Sequence, residues 1–183
     1  LNSSNTKNMK STISDEKLEE LEDEIIMNYV KTKSPKIWHQ MVMEWNWDNS
    51  STFLHWLINN PLTDKATALM IYWKSSPRYS KQYKSKEDIK ELHYIDTFEF
   101  IEKLEQNYIN GFYQNHFFEY NPKNDKNFDW TSEYIQLKSE REIPENLFLK
   151  LEGKKIKEPE DFTEGMPPRL YDKLEDLYDK YDI

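Results

Sequence analysis

Apolar residues recur every three or four positions along the first two thirds of this chain, which is the period of an amphipathic helix. This spacing predicts a first helix from about Asp15 to Lys31, with Ser14 as its N-cap and acids in its first turn. Ser34-Pro35 then starts a second helix, because proline suits the first helical position. Its predicted buried face includes Trp38 and Trp45.

The two following segments are the most apolar of the chain. A third helix is predicted over 51–59, where Pro61 prevents its continuation. A fourth is predicted from Lys65 to Lys74, and its apolar residues occupy nearly all sides of the helix. Such a helix belongs at the centre of a fold. A short buried strand is the alternative for so short an apolar run, but the alanines and a cap at Thr63 or Asp64 favour a helix.

The remaining pattern is regular only in parts. Ser85-x-x-Asp88 resembles a capping box, and it predicts a long helix or bent pair ending at Asn110-Gly111. Leu92 and His93 lie on the predicted buried stripe of that helix, which makes His93 a core histidine. Phe117–Tyr120 and Leu147–Leu151 are candidates for one short β-hairpin. A last amphipathic helix follows Pro167-Pro168.

These elements predict a mainly α protein: a compact multi-helix single domain with an irregular C-terminal segment. Residues 1–13 are polar and are interpreted as a disordered leader or tag remnant. Residues 14–120 form the predicted helical core domain, and 121–183 an extension that packs on the core and ends in a helix.

Composition narrows the classes of function. The chain has no cysteine, which excludes disulfides, thiolate zinc sites and thiol nucleophiles and agrees with a reducing cytoplasm, where we place the protein. Its three glycines cannot build a phosphate-cradling loop or a dinucleotide fingerprint. The longest apolar run, Ala66–Trp73, is far shorter than the ~20 residues that span a bilayer, so no membrane partner is expected. No cofactor is expected either.

The net charge of −9 is unevenly distributed. Asp15–Glu24 contains seven acids against Lys17 alone, and Glu158–Ile183 contains nine acids against three basic residues. Lys31–Lys90 is the opposite, with ten basic and five acidic residues. This balance makes nucleic-acid binding unexpected and favours a basic protein partner, although solvated helix faces are the simpler explanation of such runs.

Candidate chemistry is limited to a few residues. His39, Asp48 and His55 are weak candidates for an acid–base site, and ordinary hydrogen-bonded side chains at the rim of an aromatic core are the simpler interpretation. Capping of helix starts is the preferred role of Asp48 and Asp64. No two histidines have the i, i+4 spacing of helical metal ligands, so no metal site is predicted.

Two surfaces are candidates for binding. Trp47 lies in the turn Asn46–Ser50 and is the tryptophan expected to face a groove or partner, whereas Trp38, Trp45 and Trp56 are expected in the core. The segment 74–86 has five basic residues and no acid, which would suit phosphate contacts with stacking, or would simply form an exposed connector. Its candidate contact residues are Arg78, Tyr79, Lys81, Tyr83 and Lys84.

Residues 38–120 resemble a bacterial domain family of unknown function, number 4274. The motifs that carry the resemblance are Trp45-Asn46-Trp47-Asp48, Asn59-Asn60-Pro61, Asp64-Lys65-Ala66-Thr67-Ala68-Leu69, Tyr72-Trp73 and Ile109-Asn110-Gly111-Phe112-Tyr113. The chain departs from the family at Asn49-Ser50, where a glycine is usual, and at Thr63, where cysteine is usual. The resemblance implies a fold but no activity, and therefore no site residue.

The sequence leaves three hypotheses of function. The first is a non-enzymatic interaction protein that binds a basic partner through its acidic helices; small acidic bacterial proteins of this kind resemble immunity proteins that block toxins. The second is a small hydrolase or metal-dependent enzyme that uses His39, Asp48 and His55. The third is a weak nucleic-acid binder that uses the 74–86 segment.

Overall fold

A computed structural model describes residues 12–183, so that residues 1–11 of the predicted leader lie outside the described part. The fold is mainly α, as the sequence pattern predicts. The helices of the described residues are α1 Asp15–Val30, α2 Pro35–Met43, α3 Thr52–Ile58, α4 Lys65–Lys74, α5 Pro77–Ser80, α6 His93–Ile109 and α7 Pro168–Tyr181. Short 3-10 turns occur at Lys86–Asp88, Trp130–Ser132 and Glu145–Phe148.

Helix α4 is the centre of the core, as its uniform apolarity predicts. Every residue from Ala66 to Trp73 is buried. Helices α2, α3, α5 and α6 all pack against it, while α1 packs on α3 and α7. Burial of this run gains roughly 25 cal/mol for each Å² of apolar surface removed from water, which explains why so short a helix organises the domain.

Asp64 fixes the start of α4, and this predicted cap is present. Its Oδ1 accepts the Ala66 N–H at 2.9 Å, and its Oδ2 accepts the Phe117 N–H at 2.8 Å. The carboxylate is fully buried, and burial raises its pKa while the two backbone hydrogen bonds oppose that rise. Asp64 thus ties the helix start to the chain that follows α6.

Asp48, by contrast, is not a helix cap. Helix α3 begins at Thr52, and its N-cap residue is Ser51. Asp48 is exposed in the turn before it, where its backbone N–H donates to Asn46 Oδ1 at 3.0 Å. The prediction of a cap is wrong because Asp48 lies too far before Thr52 to occupy the N-cap position, which immediately precedes the first helical residue.

The predicted long helix after Ser85 is interrupted. The capping box of Ser85 and Asp88 is present, but it opens only one 3-10 turn, and α6 starts at His93. Leu92 is 79% exposed and His93 is also exposed, so the prediction of a core histidine is wrong. The segment 74–86 is likewise not one loop, because it contains α5.

The irregular segment 121–166 contributes to the same core. Leu147 and Met166 are buried in the hydrophobic cluster together with α2 and α4, and the Trp73 indole N–H donates to the Leu147 carbonyl at 2.6 Å. The proposed hairpin is reduced, within residues 12–183, to isolated bridges such as Tyr120–Leu151 and Phe118–Lys154.

Two glycines allow the irregular segment to approach the rest of the fold. A Cβ on Gly153 would lie 2.6 Å from the Phe117 carbonyl oxygen. Gly165 has a φ of +84°, and a Cβ there would lie 2.8 Å from both the Met41 oxygen and the Trp45 Cα. Both positions therefore require the absence of a side chain.

Candidate functional site

The four tryptophans of residues 38–56 divide between core and surface as the sequence pattern indicates. Trp38 and Trp45 are buried, and the Trp38 indole N–H donates to the Val30 carbonyl at 2.8 Å. Trp56 is half-buried and meets the Trp38 ring edge-on, with ring centroids 4.9 Å apart. Trp47 is 38% exposed. Three of these indoles are thus scaffold, and the fourth reaches solvent.

The three weak acid–base candidates line three different cavities. His39 lines one of about 700 Å³, Asp48 one of about 600 Å³ and His55 one of about 210 Å³. Among the hydrogen bonds of residues 12–183, none connects any two of these side chains. The same part of the chain contains no group of three or more His, Asp or Glu side chains that could hold a metal ion.

The smallest of these cavities is an aromatic cleft, which we define by Trp47, His55, Asp96 and Phe100. The His55 ring meets Phe100 edge-on, with centroids 4.8 Å apart. Partial burial lowers the pKa of His55, and the nearby negative charge of Asp96 opposes this shift. The exposed indole of Trp47 therefore stands at the edge of a cleft that holds a mostly neutral imidazole.

Asp48 belongs to a second depression, the acidic groove between α1 and α7. Six carboxylates line it, and the described residues that line it include no lysine or arginine. The six are Asp15, Glu19, Glu22, Asp48, Glu164 and Glu175. Apolar groups, among them Leu18 and Leu174, form the rest of the lining.

One hydrogen bond holds the walls of the acidic groove together. The Tyr178 hydroxyl on α7 donates to Glu22 Oε1 on α1 at 2.6 Å. Burial, followed by this carboxylate, raises the Tyr178 pKa, so the hydroxyl stays a donor. Asn49 lines both the acidic groove and the aromatic cleft, so that the turn 46–51 joins the two.

The third depression is the lysine cavity, which lies between α2, α4 and the irregular segment. Its lining contains four lysines, Lys126, Lys150, Lys155 and Lys157, and three acids, Glu119, Asp125 and Glu158. Lys126 Nζ contacts both Glu44 Oε1 and Glu158 Oε1 at 2.6 Å, and Lys150 Nζ lies 3.8 Å from Glu119. Most charges of this cavity are therefore paired.

His39 is the buried histidine of the lysine cavity. Only 2% of its surface is exposed, and its Nδ1 lies 2.8 Å from Thr67 Oγ1. Burial, together with the nearby charge of Lys74, lowers the His39 pKa to about 3. The imidazole is therefore neutral at pH 7, and within residues 12–183 no protein atom hydrogen-bonds Nε2.

Asp125, which lines the same cavity, is held by three groups. Trp130 Nε1 donates to Asp125 Oδ2 at 2.9 Å, and the Tyr120 hydroxyl donates to the same oxygen at 3.3 Å. Lys74 Nζ lies 3.7 Å away, and burial lowers the pKa of this lysine. The wall of the cavity is thus a fixed polar network.

The basic segment 74–86 uses several of its charges within the fold. Arg78 donates to the Thr131 carbonyl at 2.6 Å. Lys81 is 2% exposed, and its Nζ lies 2.8 Å from Glu105 and 3.4 Å from Glu102. Tyr79 is 40% exposed and packs on Tyr134, whereas Lys84 is exposed and Tyr83 half-buried.

Sequence reasoning missed the lysine cavity. Its lysines come from the irregular segment, where Lys150, Lys154, Lys155 and Lys157 concentrate basic charge within an acidic tail. That concentration was the available signal. His39 lines the same cavity from α2, and only the tertiary structure brings this histidine and the lysines together.

Comparisons with known proteins identify the domain but no activity. Residues 33–109 match the family described as "Domain of unknown function (DUF4274)", which confirms the family resemblance. No curated protein and no solved structure matches the chain. Within residues 12–183, no helix has both the length and the apolarity needed to cross a bilayer.

Proposed function

We propose that this protein, which carries a DUF4274 domain at residues 33–109, is a non-enzymatic interaction protein that binds a basic protein partner through its acidic groove. The observation that carries the proposal is the set of six carboxylates that line this groove, for which residues 12–183 provide no lysine or arginine in the lining. A positively charged partner would be drawn to such a surface, because clustered charge of one sign steers encounter and selects partners.

The surroundings of the acidic groove add an apolar component. Leu18, Ile26 and Leu174 line its interior, and the exposed Trp47 stands on the adjoining aromatic cleft. Interfaces gain most of their affinity from a few buried aromatic or apolar contacts, while rim charges set rate and specificity. The partner we propose therefore has basic side chains together with at least one apolar side chain that fits beside Trp47.

A bacterial immunity protein that neutralises a basic toxin would combine these properties. This finer identification rests on the acidic charge and on analogy with immunity proteins. The enzyme hypothesis receives less support, because His39, Asp48 and His55 line separate cavities. The nucleic-acid hypothesis also receives less support. Lys81 is buried and forms ion pairs, and Arg78 donates to a backbone carbonyl, so neither side chain is free for phosphate contacts.

Two double variants of equal charge test the proposal. Glu19→Lys with Asp48→Lys changes the acidic groove, whereas Glu16→Lys with Glu24→Lys changes exposed residues of α1 that do not line it. The wild-type chain and both variants are immobilised and exposed to lysate of the source organism, and bound proteins are quantified by mass spectrometry. Salt dependence of the captured complex is measured in parallel.

We expect one basic protein to bind the wild type and the Glu16/Glu24 variant, and to be lost from the Glu19/Asp48 variant. Recombinant partner should then bind the wild type at least about tenfold more tightly than it binds the groove variant. Equal binding by both variants, or equal loss from both, would show that net charge and not the groove determines capture. Absence of any basic partner would contradict the proposal.

A further inference from the structure

We propose that the lysine cavity is a binding site for the phosphate group of a small molecule. The cavity has a volume of about 700 Å³, which lies in the range of about 300–1,000 Å³ that is usual for small-molecule sites. It has no residue in common with the acidic groove. The inference therefore does not depend on the proposed protein partner.

The lining of the cavity contains more lysines than acids, in contrast to the chain as a whole. Four lysines and three acids line it, whereas the whole protein has a net charge of −9. Lys126 is opposed by Glu44 and Glu158, Lys150 by Glu119 and Glu152, and Lys157 by Glu160. Lys155 is different, because the described part of the chain provides no carboxylate within ion-pair distance of it. This leaves one positive charge of the lining available to an anion.

The second observation is the buried histidine. His39 lines the cavity and is almost completely buried. Its Nδ1 hydrogen-bonds Thr67 Oγ1, whereas Nε2 has no protein partner among residues 12–183. Nε2 is not among the fully enclosed side-chain atoms that lack a partner, so it reaches the open space of the cavity, where a ligand could supply its hydrogen bond. Because the imidazole is neutral, it suits an uncharged hydroxyl, amide or ring nitrogen.

Amide side chains complete the polar lining. Asn121, Asn124 and Asn127 line the cavity together with Tyr120, and Met43, Met70 and Ile156 supply apolar surface. A few oriented polar groups among apolar ones are typical of small-molecule sites. Lysine ammonium groups bind phosphate as point charges, and Lys155 would provide the one that no carboxylate of the described residues opposes. The rest of the ligand would then contact His39 and the asparagines.

Binding is tested with four defined probes on the full chain. Inorganic phosphate, adenosine 5′-monophosphate, glucose 6-phosphate and citrate are titrated at constant ionic strength. Affinity is measured by calorimetry, and the His39 ring resonances are followed by NMR. Lys155→Gln removes the unopposed charge, and Lys154→Gln is its matched control, because both lysines are exposed but only Lys155 lines the cavity.

We expect at least one phosphate-containing probe to bind the wild type with a shift of the His39 resonances. Lys155→Gln should weaken this binding by about tenfold or more, because a charge-assisted contact is lost, while Lys154→Gln should leave it nearly unchanged. Tighter binding of an ester than of inorganic phosphate assigns the site to a phosphorylated metabolite. Equal binding of the two assigns it to the free ion.

Three results would overturn the proposal. The first is no binding of any phosphate-containing probe at millimolar concentration. The second is an equal loss in Lys154→Gln and Lys155→Gln, which would indicate a diffuse charge effect. The third is citrate binding as tightly as the best phosphate-containing probe, which would indicate a site for anions in general.

Discussion

The acidic groove and the lysine cavity have similar volumes, about 600 and 700 Å³, but their charges are arranged in opposite ways. In the lysine cavity most acids and bases oppose each other, and several hold the irregular segment in place. In the acidic groove six carboxylates share one lining, and the described residues of that lining include no basic side chain. The first arrangement supports the fold, whereas the second is expected to cost stability, which the binding partner that we propose would offset.

The largest expected effect is at His39 in the lysine cavity, where we expect the free energy of unfolding to depend strongly on pH. Burial lowers the pKa of His39 to about 3, whereas the unfolded chain binds a proton near pH 6.5. The stability that this group contributes is therefore present above pH 6.5 and is lost as the pH falls towards 3. Between pH 7 and pH 4.5 we expect the loss to be up to about 2.5 kcal/mol larger in the wild type than in His39→Gln.

Urea unfolding at several pH values measures this difference. The comparison uses the slope with pH, since His39→Gln also changes the contact with Thr67 at every pH. His93→Gln serves as the control, because His93 is exposed at the start of α6. A His39→Gln protein with the wild-type pH dependence would show that the buried imidazole is not kept neutral by the fold.

Removing ion pairs of the lysine cavity is expected to lower the free energy of unfolding by a smaller amount. Lys126→Met removes a cation that contacts Glu44 and Glu158, and leaves the two carboxylates facing each other. Because Lys126 is partly exposed, solvent screens these contacts, and we expect a loss of about 1 kcal/mol. Urea unfolding at low and high salt is the measurement. Lys123→Met, also exposed, should change stability little.

The smallest expected effect has the opposite sign. Glu19→Gln with Asp48→Asn removes two of the six carboxylates of the acidic groove. Relief of like-charge repulsion should raise the midpoint of thermal unfolding by about one to two degrees. Added salt should raise the midpoint of the wild type more than that of the variant. A destabilised variant would show that these carboxylates support the fold, which would remove the contrast between the two regions.

The helical part of the fold could be predicted because its determinants are local. The bounds of α4, Lys65–Lys74, follow from the Asp64 cap and an unbroken apolar run. The same rules failed at His93, because the capping box at Ser85 opened a single turn and the chain then changed direction. A cap identifies where a helix can start but not how long it continues.

The irregular segment could not be predicted, because distant residues hold it. Gln40 donates to the Lys157 carbonyl, and Trp73 donates to the Leu147 carbonyl, across separations of 117 and 74 positions. No local period records such contacts. The acidic walls of the groove were visible in the charge of α1, whereas the presence of Asp48 between them was not.

The hydrogen bonds of Asp64 bear on where this polypeptide can be cut. The match to the family model ends at residue 109, yet the Phe117 N–H donates to Asp64 Oδ2 and the Tyr113 hydroxyl donates to the Ile58 carbonyl. A fragment trimmed at 109 would leave a buried carboxylate and a buried carbonyl with fewer donors, at a cost of about 1–3 kcal/mol for each. The region matched by the family model is therefore shorter than the smallest fragment that we expect to fold alone.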